Sequence, residues 1–164
     1  MTDLDYMTLA LEEAKKAADN GEVPIGAIVM QNPIEGAGAE KLINKVQLPR
    51  VIAKSGNARE ALNDPTAHAE LIAIRLAAEQ LERWRLTDCT LYVTLEPCIM
   101  CAGALHQARI ARCVYGASDK KAGALGTLYK INEDTRLNHN FEVVPGVMAD
   151  ESAQLLKDFF AKRR

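Results

Sequence analysis

Aromatic residues are scarce in this chain: four Tyr, three Phe and one Trp make up 5% of its 164 residues. Histidine is scarcer still, at three, and cysteine stops at four. No run approaches the ~20 consecutive apolar residues that a membrane-spanning helix requires, so no membrane association is expected. The first residues, Met1-Thr2-Asp3-Leu4-Asp5, are acidic and lack the basic-then-apolar plan of a secretory signal. A cytoplasmic protein is therefore expected. In a reducing compartment four cysteines argue for metal binding or burial, not for a disulfide framework. Strong charge of either sign is missing too: 20 Lys and Arg against 22 Asp and Glu leave a net charge of −2. That balance supplies no overall attraction to nucleic acid.

What is present is 48% apolar residues, enough to bury a core without covalent staples. No internal repeat and no linker-like stretch divides the sequence, so residues 1–164 are expected to form a single domain. Thr2-Asp3-Leu4-Asp5 reads as a capping box, and Leu4, Met7, Leu11, Ala14 and Ala18 follow at helical spacing up to Asn20-Gly21. Val23 to Met30 and Val51 to Ser55 read as strands. Between them lies an insertion, 31–50, far longer than a hairpin loop, with Ala39 to Val46 able to form a helical turn or a flap. Asp64-Pro65 is expected to open a helix whose buried face is Leu71, Ile74 and Ala78. Thr90–Thr94, Arg112–Gly116 and Phe141–Val144 are further strands, Cys98 to Ala108 a helix, and a last helix starts near Asp150. The resulting order, α-β-β-α-β-α-β-loop-β-α, implies one sheet with helices on its faces, an α/β class.

Two short motifs carry chemistry: His68-Ala69-Glu70 and Pro97-Cys98-Ile99-Met100-Cys101, each at an expected helix start. Cys98 and Cys101 are three apart, so both sulfurs project from one face of a first helical turn. A helix N-terminus favours thiolate over thiol, which suits metal binding at neutral pH. His68 completes a three-ligand set, and three protein ligands leave a tetrahedral Zn²⁺ one position for water, as in catalytic sites. Glu70, two residues beyond His68, is badly placed to ligate the same ion but well placed to move protons beside it. A structural zinc site needs a fourth ligand, for which Cys89, Cys113, His106 and His139 are the candidates. Cys89 precedes a strand and Cys113 lies within one, where burial is the expectation for both.

His-x-Glu followed by Pro-Cys-x-x-Cys resembles the signature of the cytidine deaminase-like superfamily. Zinc nucleobase deaminases carry this pattern. Longer runs are similar to the bacterial tRNA-specific adenosine deaminase family: Gly21 to Ala27, Asp64 to Glu70, Leu91 to Ala104 and Asp158-Phe159-Phe160. The resemblance implies a three-layer α/β/α cytidine deaminase-like fold with a five-stranded mixed sheet, bound Zn²⁺, and a homodimer. It implies hydrolytic conversion of the wobble adenosine of a tRNA anticodon stem-loop to inosine. By position it further implies that Asn57 hydrogen-bonds the purine, that Asp119 contacts the neighbouring nucleotide, and that Asn138 is an anticodon contact. Phe160 and the basic end, Lys162, Arg163 and Arg164, fit either RNA contact or a core phenylalanine followed by a solvated helix end. Two competitors stay open: a guanine or cytosine nucleoside or nucleotide deaminase with the same zinc site, and a structural-zinc RNA-binding module. The family joins its first two strands by a tight turn, so the 31–50 insertion is a departure, expected to lie away from the metal.

Overall fold

The structure, a computed structural model, describes residues 1–33 and 48–163. The expectation for Ala39 to Val46 lies outside the described residues. Helix α1 (Asp3–Asp19) begins with the expected capping box: the Asp5 amide donates to the Thr2 hydroxyl, and the Thr2 amide donates to the Asp5 carboxylate. The chain continues through β1 (Gly26–Gln31), β2 (Arg50–Gly56), a short α2 (Arg59–Leu62), α3 (Ala69–Gln80) and β3 (Cys89–Leu95). Then come α4 (Ile99–Gln107), β4 (Arg112–Ala117), a 3-10 turn at Ile131–Glu133, β5 (Glu142–Val144) and α5 (Ala149–Ala161). Strand β1 starts later than Val23 because the Ile25 amide turns back onto the Val23 carbonyl (2.8 Å), and Pro24 has no amide to give a ladder.

The strands form one mixed sheet in the order β2-β1-β3-β4-β5. Strand β1 is antiparallel to both neighbours, and β3, β4 and β5 run parallel. Alternation along the strands divides the core in two. Ile28, Met30, Tyr92 and Val114 pack with Tyr6, Met7 and Ala10 of α1 on one face. Val29, Leu91, Val93 and Cys113 pack with Ala73 and Ala77 of α3 and Leu105 of α4 on the other. With α5 against β4 on the α1 side, this is the three-layer α/β/α arrangement with a five-stranded mixed sheet. One polar clamp joins α1 to the sheet: the Arg112 guanidinium donates twice to Asp3 (2.8 Å each), and the Tyr92 hydroxyl donates to the same carboxylate (2.8 Å).

Two expectations about α3 need correction. The Asp64 carboxylate accepts from the Thr66 amide and hydroxyl (2.8 and 2.7 Å), a local turn that competes with helix formation, so the helix starts only at Ala69. Its buried face is Ala69, Glu70, Ala73 and Ala77; Ile74 packs on that core from its margin, as expected, whereas Leu71 and Ala78 are only partly covered and line an outer groove. Alanines on the sheet side let the helix lie close to the strands, and Leu71 is left for another surface.

Candidate metal centre and active site

Strands β3 and β4 end together, Leu95 beside Ala117, and in open α/β sheets ligands gather beyond the carboxyl ends of such strands. The chain leaves β3 through Glu96-Pro97 and reaches Cys98, the residue before α4. His68 holds the same position before α3. Both are extended (ψ 175° and 149°), and their side chains meet each other. The two helix N-termini thus converge, and their dipoles favour anionic sulfur between them.

His68 Nδ1 lies 3.7 Å from Cys98 Sγ and 3.5 Å from Cys101 Sγ, and all three donor atoms fall within 4.8 Å of one another. Bond lengths of ~2.3 Å to sulfur and ~2.0 Å to nitrogen at tetrahedral angles put N and S ~3.5 Å apart. The donor set therefore fits zinc in both chemistry and spacing. Among the described residues no fourth His, Cys, Asp or Glu joins the group. Cys89 and Cys113 are fully buried in the core, where burial pushes the Cys89 thiol up to about 12 and raises Cys113 as well. His139 Nε2 pairs with the Ile110 carbonyl (2.8 Å), and His106 is buried beside it. The fold thus places all four alternative ligands away from the group.

The pair of sulfurs shares its proton unequally. A hydrogen bond from Cys101, helped by His68, holds Cys98 down at about 4, and the same bond drives Cys101 up. Cys98 in turn raises the His68 imidazole. Glu70 stands in the first turn of α3 beside Cys101, only 4% exposed, and its Oε2 has no hydrogen-bond partner. Burial pushes its carboxyl up to about 7, a value suited to taking and returning protons near neutrality. An unpartnered carboxylate oxygen sealed beside three metal donors is costly unless something polar binds there.

The end of β2 is stitched to both sides of His68. The Ser55 hydroxyl donates to the Ala69 carbonyl (2.6 Å), and the Ala58 amide donates to the Ala67 carbonyl (3.0 Å). Asn57 therefore lies beside the segment that carries His68, buried, its Nδ2 donating to Glu22 (3.3 Å). Asp119 follows β4 on a loop that an isolated bridge, Cys98 to Gly123, ties to the centre. Its Oδ1 accepts from the Lys121 and Ala122 amides (2.9 and 3.3 Å). Asn138 is not brought there. It is exposed in the loop before β5, at the start of strands whose other ends carry the site, roughly 17 Å along the sheet at 3.3 Å per residue.

Two buried carboxylates carry no signal in the sequence alone. Glu96 accepts from the amides of Asp119, Leu125 and Thr127 and from the Thr127 hydroxyl, which makes it the organiser of the Asp119 loop. Glu22 takes Asn57 and the Ala61 amide (2.8 Å). Both lie inside runs that resemble the family, but no local spacing marks them as paired. Phe160 is 47% exposed and, with Lys121, Leu156, Lys157 and Arg163, lines a groove of about 650 Å³, so it is not a core residue.

The model of the MafB19-like deaminase family matches residues 1–164. A tRNA-specific adenosine deaminase of Haemophilus influenzae is 43% identical over 162 residues, covering 99% of this chain and 85% of that protein. A solved structure from work on A-to-I editing by tRNA:A34 deaminases at the wobble position of transfer RNA is also 43% identical. It has a TM-score of 0.78 over 93% of this chain and 99% of its own. A guanine deaminase from Nitrosomonas europaea shares the fold (TM-score 0.75, 96% of this chain and 84% of that one) at 21% identity. The chain belongs to the tRNA-specific adenosine deaminase family.

Proposed function

We propose that this protein hydrolyses the wobble adenosine of a tRNA anticodon to inosine, releasing ammonia. The observation that carries the reading is a whole-chain identity of 43% to a tRNA-specific adenosine deaminase, on a chain whose donor cluster adjoins a sealed, unpartnered carboxylate. His68, Cys98 and Cys101 are the residues to hold Zn²⁺. When bound, the ion supplies Lewis acidity that makes water deprotonable near neutral pH.

Glu70 takes a proton from the attacking water and gives it to the ring nitrogen of adenine as oxygen adds at C6. A second transfer through Glu70 to the exocyclic nitrogen lets ammonia leave. Closure of Glu70 from solvent keeps it protonatable for both transfers. Asn57 reads the purine edge, Asp119 contacts the adjacent nucleotide, and Asn138 serves the RNA away from the pocket. An anticodon loop is already single-stranded, so extruding one base costs less than in a duplex. The groove with Phe160, Lys121, Lys157 and Arg163 suits a splayed base and phosphates.

The chain acts as one deaminase domain over residues 1–164 with the 31–50 insertion, in the cytoplasm where tRNA is found. No helix of the described residues is long and apolar enough to cross a membrane. A homodimer is proposed through the outer faces of α3 and α4. Leu71, Ile74, Ala78, Trp84 and Ala104 line a groove of about 410 Å³ there, an apolar surface left uncovered in one copy. The test is parallel incubation of the zinc-loaded protein with anticodon stem-loop RNA, guanine and cytidine. Inosine from the RNA alone is expected, and turnover of guanine without RNA turnover would overturn the substrate.

A further inference from the structure

Glu22 and Asn57 are 35 residues apart in sequence yet share a buried hydrogen bond. Glu22 is 2% exposed and Asn57 6%. The carboxylate is held at both oxygens: Oε1 accepts from the Ala61 amide (2.8 Å) and Oε2 from Asn57 Nδ2 (3.3 Å). Its backbone is held as well, since the Glu22 amide donates to the Ala17 carbonyl at the end of α1 (3.0 Å). The Arg163 guanidinium, stacked on Phe159, donates to the neighbouring Gly21 carbonyl (3.1 Å). The Asn57 amide donates to the Ile25 carbonyl (2.9 Å), which fixes the other partner.

A side-chain amide can be turned over with almost no change of shape, so what surrounds it decides which end faces a ligand. A carboxylate offers only acceptors, and the Ala61 N–H already claims one oxygen. Asn57 must therefore turn Nδ2 toward Glu22 and Oδ1 away from it. No described residue donates to that Oδ1. An acceptor oxygen, with the second N–H of Nδ2 beside it, is the pattern that pairs with the amino group and N7 of adenine. Inosine carries an oxygen in place of the amino group and meets the same Oδ1 with an acceptor.

Resting on the reading that Asn57 faces the purine, we propose that Glu22 is a positioning residue for specificity. It locks the Asn57 amide in the orientation that accepts from an amino-bearing purine and repels the keto product.

The test uses the zinc-loaded full chain and anticodon stem-loop RNA, with kcat and KM measured separately and metal content and melting checked for each variant. In Glu22→Gln the new amide must keep its oxygen on the Ala61 N–H, so its NH2 faces Asn57 and turns that amide over. The expected result is a rise in KM and a loss of about 10- to 100-fold in kcat/KM. Glu22→Gln with Asn57→Asp sets an acceptor toward the base again and is expected to recover at least about tenfold of that loss. Asn57→Asp alone puts two carboxylates face to face and is expected to fall below Asn57→Ala. An unchanged KM in Glu22→Gln, or a double variant no better than the product of the singles, overturns the proposal. If Glu22→Gln loses zinc or melts below the assay temperature, Asn57→Asp against Asn57→Ala decides, and equal rates overturn it. Wild-type kcat/KM in Asn57→Ala would instead remove Asn57 from the substrate site, a distinct failure.

Discussion

Glu96→Gln changes one oxygen of a carboxylate that four donors share, and its consequence can be followed atom by atom. Oε1 accepts from the Leu125 and Thr127 amides (3.2 and 3.0 Å), whose N–H groups cannot reverse, so the glutamine oxygen stays there. The new NH2 then faces the Asp119 amide, formerly 2.9 Å from Oε2, and the Thr127 hydroxyl. The hydroxyl rotates and accepts, whereas the Asp119 N–H cannot. One orphaned donor costs about 1–3 kcal/mol, and the half-buried position of Asp119 favours the lower part, about 1–2 kcal/mol. For a domain of this size that is a fall in Tm of roughly 2–8 °C. The loop it loosens bridges to Cys98 and carries Asp119, so KM for stem-loop RNA should rise more than kcat falls. Circular-dichroism melting of the zinc-loaded protein and hydrogen exchange at the Asp119 amide measure both effects. A Tm within about 1 °C of wild type, with Asp119 exchange unchanged, would refute Glu96 as the organiser of this loop.

Arg112 holds the Asp3 carboxyl below its ordinary value, assisted by the Tyr92 hydroxyl. A depressed folded pKa gives stability that is fully present above the unfolded value and is lost as pH falls through the folded one. The urea midpoint should thus drop from about pH 5 to about pH 3, and Asp3→Asn should flatten that drop. Chelation of the metal is expected to lower Tm, because the donor set exists only in the folded chain. In the chelated folded protein a thiol reagent should find Cys98 first and should not reach Cys89 or Cys113 until the chain unfolds. Trp84→Asp, which puts a charge in the groove beside α3 and α4, is expected to yield monomers by light scattering without loss of bound zinc.

The candidate metal donors are legible in the sequence because spacing maps directly onto a helix turn: Cys98 and Cys101 need only one turn of α4 to stand together. His68 is legible as chemistry but not as local structure. Asp64-Pro65 looks like a helix start, yet the Asp64–Thr66 side-chain turn delays the helix to Ala69 and makes His68 a cap. The buried face of α3 departs from expectation for a physical reason as well. Large apolar residues are expected inward, but close packing on the sheet selects Ala73 and Ala77, while Ile74 reaches the core only from its margin and Leu71 lines an outer groove. Strand number and order of elements follow from β-branched runs and their punctuation. The pairing order β2-β1-β3-β4-β5 does not, since it depends on crossovers that periodicity does not encode. Glu22 and Glu96 stay hidden because their partners lie 23 to 39 residues away and include backbone amides, which leave no mark in a sequence.

The most direct test replaces Glu70 with glutamine, which preserves shape and the neighbouring donors but cannot carry protons. Inosine formation in anticodon stem-loop RNA is measured beside the zinc content of the same sample. Zinc retained at wild-type stoichiometry with a rate reduced about 10³-fold or more is expected, near the range that general acid–base groups supply. Full zinc together with a wild-type rate would contradict Glu70 as the proton carrier and, with it, the chemistry assigned to the centre.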